Sequence, residues 1–170
     1  MNTDKLLKIP FTWVKRESIL KLLPHKTNVR FALFCANQVK HLVKKEYQEV
    51  CLKAIEVAEL FLEDRATKEE CGKAAVAANA AAYASTSYAA SDASAYAAYA
   101  AAYAANAAYA ASYAYAAYAS ASYAAYAVDA AFYNNQETIK QEQMDYLRDL
   151  IIAELPEEDK SCCWLLVAAL

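Results

Sequence analysis

Ala95-Tyr96-Ala97-Ala98-Tyr99-Ala100-Ala101-Ala102-Tyr103 has one good structural solution, an α-helix. It lies inside Ala74–Tyr133, a run made almost entirely of Ala, Tyr, Ser and Asn, with no Gly or Pro and with Asp92 and Asp129 as its charges. Ala loses no side-chain entropy in a helix and crowds nothing, so a long Ala run without breakers is helical. Strand is disfavoured, because strict alternation is absent and Ala is a poor strand former. A membrane span is not expected: Ala and Ser are weakly apolar, and no basic flank follows until Lys140. The composition also favours helix over disordered coil.

Ala-rich helices are thin, so two can approach closely and a Tyr ring can fill the gap over a neighbour's Ala. A buried Tyr hydroxyl needs a partner, and Ser85, Ser87, Ser94, Ser112, Ser120, Ser122, Asn79 and Asn106 are candidates. Tyr96, Tyr99 and Tyr103 follow the spacing of one face. Tyr109 and Tyr113 read as a second face, and Tyr115, Tyr118 and Tyr126 as a third. A helix with Tyr on several sides is buried on several sides or broken. Ser91-Asp92 is the expected break, since both are good N-cap residues; a second is expected near Asn106 or Ser120. Most of Tyr96, Tyr99, Tyr103, Tyr109, Tyr113 and Tyr118 are expected to be buried in helix contacts.

The flanks are ordinary amphipathic helices. Residues 10–23 read as a first helix, opened by Pro10 and Thr12 and ended by Pro24. Thr27 or Asn28 caps a second, roughly 28–43, with Phe31, Phe34, Cys35, Val39 and Leu42 at helical spacing. A third, roughly 46–63, carries Val50, Cys51, Ala54, Ile55, Ala58 and Leu62. Thr67-Lys68-Glu69-Glu70 matches a capping box and opens the Ala-rich helix. Gly72, in its first turns, costs about 1 kcal/mol against Ala and marks close packing. Gln136–Glu154 is a final amphipathic helix ended by Pro156. Cys162–Leu170 is apolar but too short to span a bilayer. The fold class is therefore all-α: a compact multi-helix bundle with long, closely packed Ala/Tyr-rich helices. A single domain is expected over 1–170, with segments 1–26, 27–66, 67–135 and 136–170.

Charge is uneven. Residues 1–73 hold 14 basic and 10 acidic side chains, net +4, while residues 74–170 hold 3 and 10, net −7. That polarity can steer a charged partner. The N-terminus leads into no apolar run of signal-peptide length, Cys35 and Cys51 read as small core residues, and no CxxC pair exists, so a reducing, cytoplasmic setting is expected. Adjacent Cys162-Cys163 with two His in the chain makes a poor zinc pattern. His25 and His41 read as surface residues, and Glu69-Glu70 and Glu157-Glu158 as helix-end charges. With no phosphate loop, HExxH or GxSxG, no enzyme, metal or cofactor is expected.

One family resemblance runs through the helical segments. Arg30-Phe31-Ala32-Leu33-Phe34-Cys35-Ala36, Cys51–Phe61, Asp64-Arg65-Ala66-Thr67 and then the Ala run resemble an all-helical immunity-protein family of bacterial polymorphic toxin systems. Ala- and Tyr-rich relatives occur in phages, and Glu137-Thr138-Ile139-Lys140-Gln141 through Tyr146–Leu150 resembles those members. The match spans roughly residues 30–152. Where the family carries His and Arg in its Ala region, this chain has Tyr, Ser or Ala. The resemblance implies a helical fold and neutralisation of a partner, and it supplies no catalytic residues.

Three functions follow. The first is a non-catalytic protein that neutralises a toxin or a defence component. Glu154, Glu157, Glu158 and Asp159, with Trp164 nearby, form an acidic candidate surface for a basic protein partner; the competing reading is a solvated turn with Trp164 sealing the bundle. The second is a small-molecule-sequestering protein with a pocket lined by Tyr96, Tyr99, Tyr103, Tyr109 and Tyr113. The third is a nucleic-acid binder through Lys40, Lys44 and Lys45. Homo-oligomerisation stays open, and no membrane partner is expected.

Overall fold

The computed structural model describes residues 19–86, 93–113, 119, 122–127, 130 and 136–155, with backbone alone at 86, 93 and 136–140. The helices are α1 (His25–Val39), α2 (Lys45–Leu62), α3 (Lys68–Thr86), α4 (Ala93–Ala111) and α5 (Gln136–Glu154). A 3-10 turn, Lys40–Leu42, joins α1 to α2, and residues 122–127 form a short helical segment between α4 and α5. No strand occurs among the described residues. The all-α expectation holds, and α2 and α5 begin and end within a residue of the sequence reading.

Helix α1 begins earlier than expected. Pro24 is its cap residue, and the Pro24 carbonyl accepts from the amides of Thr27 (3.0 Å) and Asn28 (3.2 Å). A proline fixes its own φ and keeps a free carbonyl, so it starts a helix without a capping side chain. Thr27 and Asn28 are therefore buried in the first turn rather than capping it. Of the expected helix at 10–23, residues 10–18 lie outside the described residues; Ile19, Leu20 and Leu23 are buried in the main core.

Helix α2 stops on Asp64, whose φ of 59° is left-handed. The amides of Asp64 and Arg65 donate back to Phe61 (3.1 Å) and Leu60 (2.8 Å), a Schellman closure. Asp tolerates that conformation better than most residues, and its carboxylate takes Lys26 Nζ at 2.7 Å. The capping box then opens α3 as expected. Thr67 Oγ1 accepts from the Glu70 amide at 3.2 Å, and Glu70 Oε2 accepts from the Thr67 amide at 2.8 Å. That bond holds the Glu70 carboxyl below its usual range.

Helices α3 and α4 form an antiparallel hairpin: Gly72 faces Tyr109 and Tyr83 meets Tyr99. The expected break at Ser91-Asp92 falls between the two helices, in residues outside the described set. Asn106 does not break α4. Its Nδ2 donates to the Ala102 carbonyl at 3.0 Å, within the same helix. Ser120, the other suggested break, lies outside the described residues.

Helix α4 is the middle of the bundle and packs against α1, α2 and α3. Ala97, Ala98, Ala100, Ala101, Ala102, Ala104, Ala105, Ala107 and Ala108 are all at 0 % exposure, so the helix is covered on most of its circumference. Ala54 of α2, Ala75 and Ala78 of α3, and Ala102 and Ala105 of α4 make a separate cluster where three helices meet. Larger core side chains come from α1 (Phe31, Val29 and Val39), from Ile19 and Leu20 before it, and from α5 (Leu147). Ser94 Oγ, at the start of α4, accepts from the Lys44 amide at 2.8 Å and ties down the turn into α2. Cys35, Cys51 and Cys71 are buried and form no disulfide, and burial pushes the Cys51 and Cys71 thiols up to about 11.

Helix α5 docks on α1 through mixed contacts. Phe34 and Tyr146 stack at 4.0 Å. Buried Gln143 donates to Gln38 Oε1 at 2.9 Å, and Gln38 donates to Glu142 at 2.8 Å. No described helix is long and apolar enough to cross a membrane.

The close approach at Gly72 is testable. A Cβ there would lie 3.1 Å from the Tyr109 ring. Gly72→Leu is expected to destabilise the chain when Tyr109 is present and to stabilise it in a Tyr109→Ala background, a coupling of about 1–3 kcal/mol. Urea melts of the four proteins measure it; equal effects in both backgrounds would remove the contact.

Candidate functional site

The covered circumference of α4 leaves one open side. On a helix of 3.6 residues per turn, Tyr96, Tyr99, Tyr103, Asn106 and Tyr109 fall within an arc of about 140°. These are the half-exposed positions of α4 between Ser94 and Ala110, and the alanines between them are buried. The first two Tyr faces thus share one band, while of the third Tyr115 and Tyr118 lie outside the described residues and Tyr126 falls on the 122–127 segment. The reason is mutual: alanines fill the positions that face α1, α2 and α3 most directly, and the rings lie toward the less covered side, where Tyr109 still packs against Gly72 of α3. Tyr99, Tyr103 and Tyr109 pack their inner edges on the main core, giving half-burial rather than full burial. Tyr118 lies outside the described residues.

Two ring groups occupy this side. At one end, Tyr109 and Tyr113 meet edge to face at 5.4 Å, with their hydroxyls 2.9 Å apart. The Tyr113 hydroxyl holds the Tyr109 phenol above its usual range. Lys68 of α3 sits with its Nζ 4.8 Å over the Tyr113 ring. Toward the other end, five rings from three segments join. Tyr99 stacks on Tyr103 at 6.0 Å, Tyr83 of α3 meets Tyr99 edge-on at 5.7 Å, and Tyr103 contacts Tyr123 at 6.4 Å and Tyr126 at 5.5 Å. Tyr83 is 67 % exposed and Tyr126 51 % exposed, so the cluster opens to solvent. Desolvation raises the Tyr103 phenol, and the neighbouring Tyr99, Tyr83, Tyr126 and Tyr123 raise it further.

The structure brings Tyr96, Tyr99, Tyr103, Tyr109 and Tyr113 to one side of the protein, as an open band. It also adds Tyr83, Tyr123 and Tyr126, which the site reading left out. The Tyr123–Tyr126 spacing is helical, but only the α3–α4 register brings Tyr83 to the same place. The acidic candidates fare differently. Glu154 is turned inward: Thr27 Oγ1 donates to it, and Arg30 lies 3.8 Å away. Glu157, Glu158, Asp159 and Trp164 lie outside the described residues. Lys40, Lys44 and Lys45 are exposed around the α1–α2 turn beside exposed His41, with Lys40 Nζ bonded to Asn37 at 2.8 Å. His25 opens α1 and is half-buried. Among the described residues no group of three or more His, Cys, Asp or Glu is placed to hold a metal ion. A groove of about 320 Å³ lies between α2 and α3, lined by Lys53, Leu60, Arg65, Glu70 and Lys73 among others, and no tyrosine lines it.

The scaffold is all-helical among the described residues and displays a band of half-exposed tyrosines on a covered helix. Residues 18–150 match the sequence profile of the Imm-5 like putative immunity protein family, and the chain belongs to that family. No curated protein and no solved structure matches it.

The Tyr103 environment sets a pH dependence. The native phenol keeps its proton where the unfolded chain has released it, so its stabilising effect is complete below the ordinary tyrosine value of 10.0 and is lost as pH rises above it. Urea melts taken upward through that range are expected to show stability falling for the native chain and falling less for Tyr103→Phe. Parallel curves would place Tyr103 in open water.

Proposed function

We propose that this chain is a non-catalytic immunity protein that binds a partner protein and neutralises it, using the tyrosine cluster of α3, α4 and the 122–127 segment as its contact surface. Membership of an immunity-protein family supports the class of activity. One observation supports the surface: Tyr83 and Tyr126 stand 67 % and 51 % exposed on top of three half-buried rings. Tyr presents large, rigid, amphipathic area at low entropic cost and is enriched at interface hot spots. The base of the cluster is a helix packed on most of its circumference, so little ordering is left to do on binding.

The other two readings draw less support. A sequestered small molecule needs a concave, largely enclosing site, whereas the rings form an outward-facing surface. A nucleic acid stacks well on aromatic rings but needs cations beside them for its phosphates, and Ala74–Tyr133 carries no Lys, Arg or His. Lys40, Lys44 and Lys45 sit on the α1–α2 turn instead, without a ring band of their own.

The test is capture of the partner from the native cell, followed by co-expression of the purified pair. The native chain is expected to form a stoichiometric complex and to suppress the partner's toxic activity. Tyr83→Ala combined with Tyr126→Ala is expected to weaken the complex at least tenfold while leaving helicity unchanged, since hot-spot rings contribute about 2 kcal/mol or more each. Full neutralisation by the double variant would move the contact surface elsewhere. A complex without neutralisation would refute the immunity function.

A further inference from the structure

We infer that the groove between α2 and α3 receives an acidic side chain, a glutamate or aspartate presented by the same partner that meets the tyrosine cluster. The inference rests on that partner being a protein, and it adds a charged contact to the aromatic one.

Three observations carry it. The first is the make-up of the groove. It holds about 320 Å³ and is lined by three cations, Lys53 of α2, Arg65 of the α2–α3 turn and Lys73 of α3, against one carboxylate, Glu70. Val57, Leu60 and Ala74 add apolar lining. That combination suits a carboxylate carried on a short methylene stem: the cations take the oxygens and the apolar side chains take the stem.

The second is that the carboxylate already present is occupied, while the cations can exchange partners. Glu70 Oε2 accepts from the amide and the hydroxyl of Thr67, both at 2.8 Å. Those bonds hold its carboxyl low, and Lys53 and Lys73 lower it further, so both ammonium groups bear on this spot. Lys53 pairs with Glu56 at 2.9 Å and Arg65 with Glu63 at 2.7 Å. All four side chains are more than half exposed, and neither of those glutamates lines the groove. Exposed pairs of this kind are weak and readily replaced. Lys73 makes no ion pair among the described residues.

The third is continuity with the tyrosines. Lys73, Val76, Ala77, Ala80 and Tyr83 are all exposed and share an arc of about 120° on α3. Val76 is 70 % exposed. The groove and Tyr83 are thus the two ends of one open helix face about 15 Å long, and no charge interrupts it between Lys73 and Tyr83. A groove that opens along a helix face does not enclose a small molecule. It accepts a side chain from a polypeptide lying along that face.

The test has two arms. In the first, two short peptides of equal length, one of alternating Glu and Leu and one of alternating Gln and Leu, are titrated into the full-length chain with methyl signals followed by NMR. The acidic peptide is expected to bind at least threefold more tightly, to shift Val57, Leu60 and Ala74, and to lose that advantage in high salt. Lys73→Gln and Arg65→Gln, both at exposed positions, are each expected to weaken it about threefold. Equal binding of the two peptides, binding that ignores both variants, or no binding of either overturns the inference. In the second arm, Lys73→Gln combined with Arg65→Gln is expected to weaken the complex with the captured partner about tenfold. A complex unchanged by that pair but weakened by Tyr83→Ala with Tyr126→Ala overturns the groove contact and leaves the tyrosine surface standing. A complex weakened by the groove pair and indifferent to the tyrosine pair upholds the groove and removes the tyrosine surface.

Discussion

The fold depends on how closely other helices can approach α4. A side chain of one carbon keeps a helix thin, and nine alanines of α4 are wholly removed from solvent against α1, α2 and α3. Each contact is small, but close packing sums many dispersion contacts that larger, imperfectly fitted side chains would forfeit. The cluster of Ala54, Ala75, Ala78, Ala102 and Ala105 is the tightest expression of this, a core built without a single large residue. Gly72 extends the same logic to the end of the hairpin, where even a methyl group would press on the Tyr109 ring.

That constraint decides where the tyrosines go. Alanine fills the positions where α4 meets its neighbours most closely, so Tyr96, Tyr99, Tyr103 and Tyr109 collect toward its less covered side, with Tyr109 seated against Gly72 of α3. Packing thereby generates the surface chemistry: what is excluded from the interior becomes a band outside it. The same helix that gives the bundle its middle gives the candidate contact surface a stiff floor. Tyr83 and the 122–127 segment widen the band beyond a single helix.

Local signals in the chain were legible wherever one residue acts on its near neighbours. Thr67 and Glu70 announce their capping box, the Ala run its helicity, Gly72 its close approach, and Gln136–Glu154 its amphipathic period. Features set by tertiary contact were not. Thr27 reads as a cap in the sequence, yet it is buried and its hydroxyl donates to Glu154, 127 residues away. Glu154 looks like part of an acidic surface in the sequence, yet its carboxylate is spent holding α5 to α1 beside Arg30. Tyr96, Tyr99, Tyr103 and Tyr109 share one arc of the helix, but which arc of α4 is covered is set by α1, α2 and α3. Tyr83 joins Tyr99 only through the register of the α3–α4 hairpin.

The account places α4, and not the larger side chains of α1, at the mechanical centre of the protein. Residue-resolved native-state hydrogen exchange measures this most directly. The amides from Ala97 to Ala108 are expected to exchange only through global unfolding, as slowly as any in the chain, with an opening free energy equal to that from urea melts. Exchange of those amides through a cheaper, local opening while α1 and α2 stay protected would contradict it, and would make the alanine hairpin a peripheral attachment to a core built elsewhere.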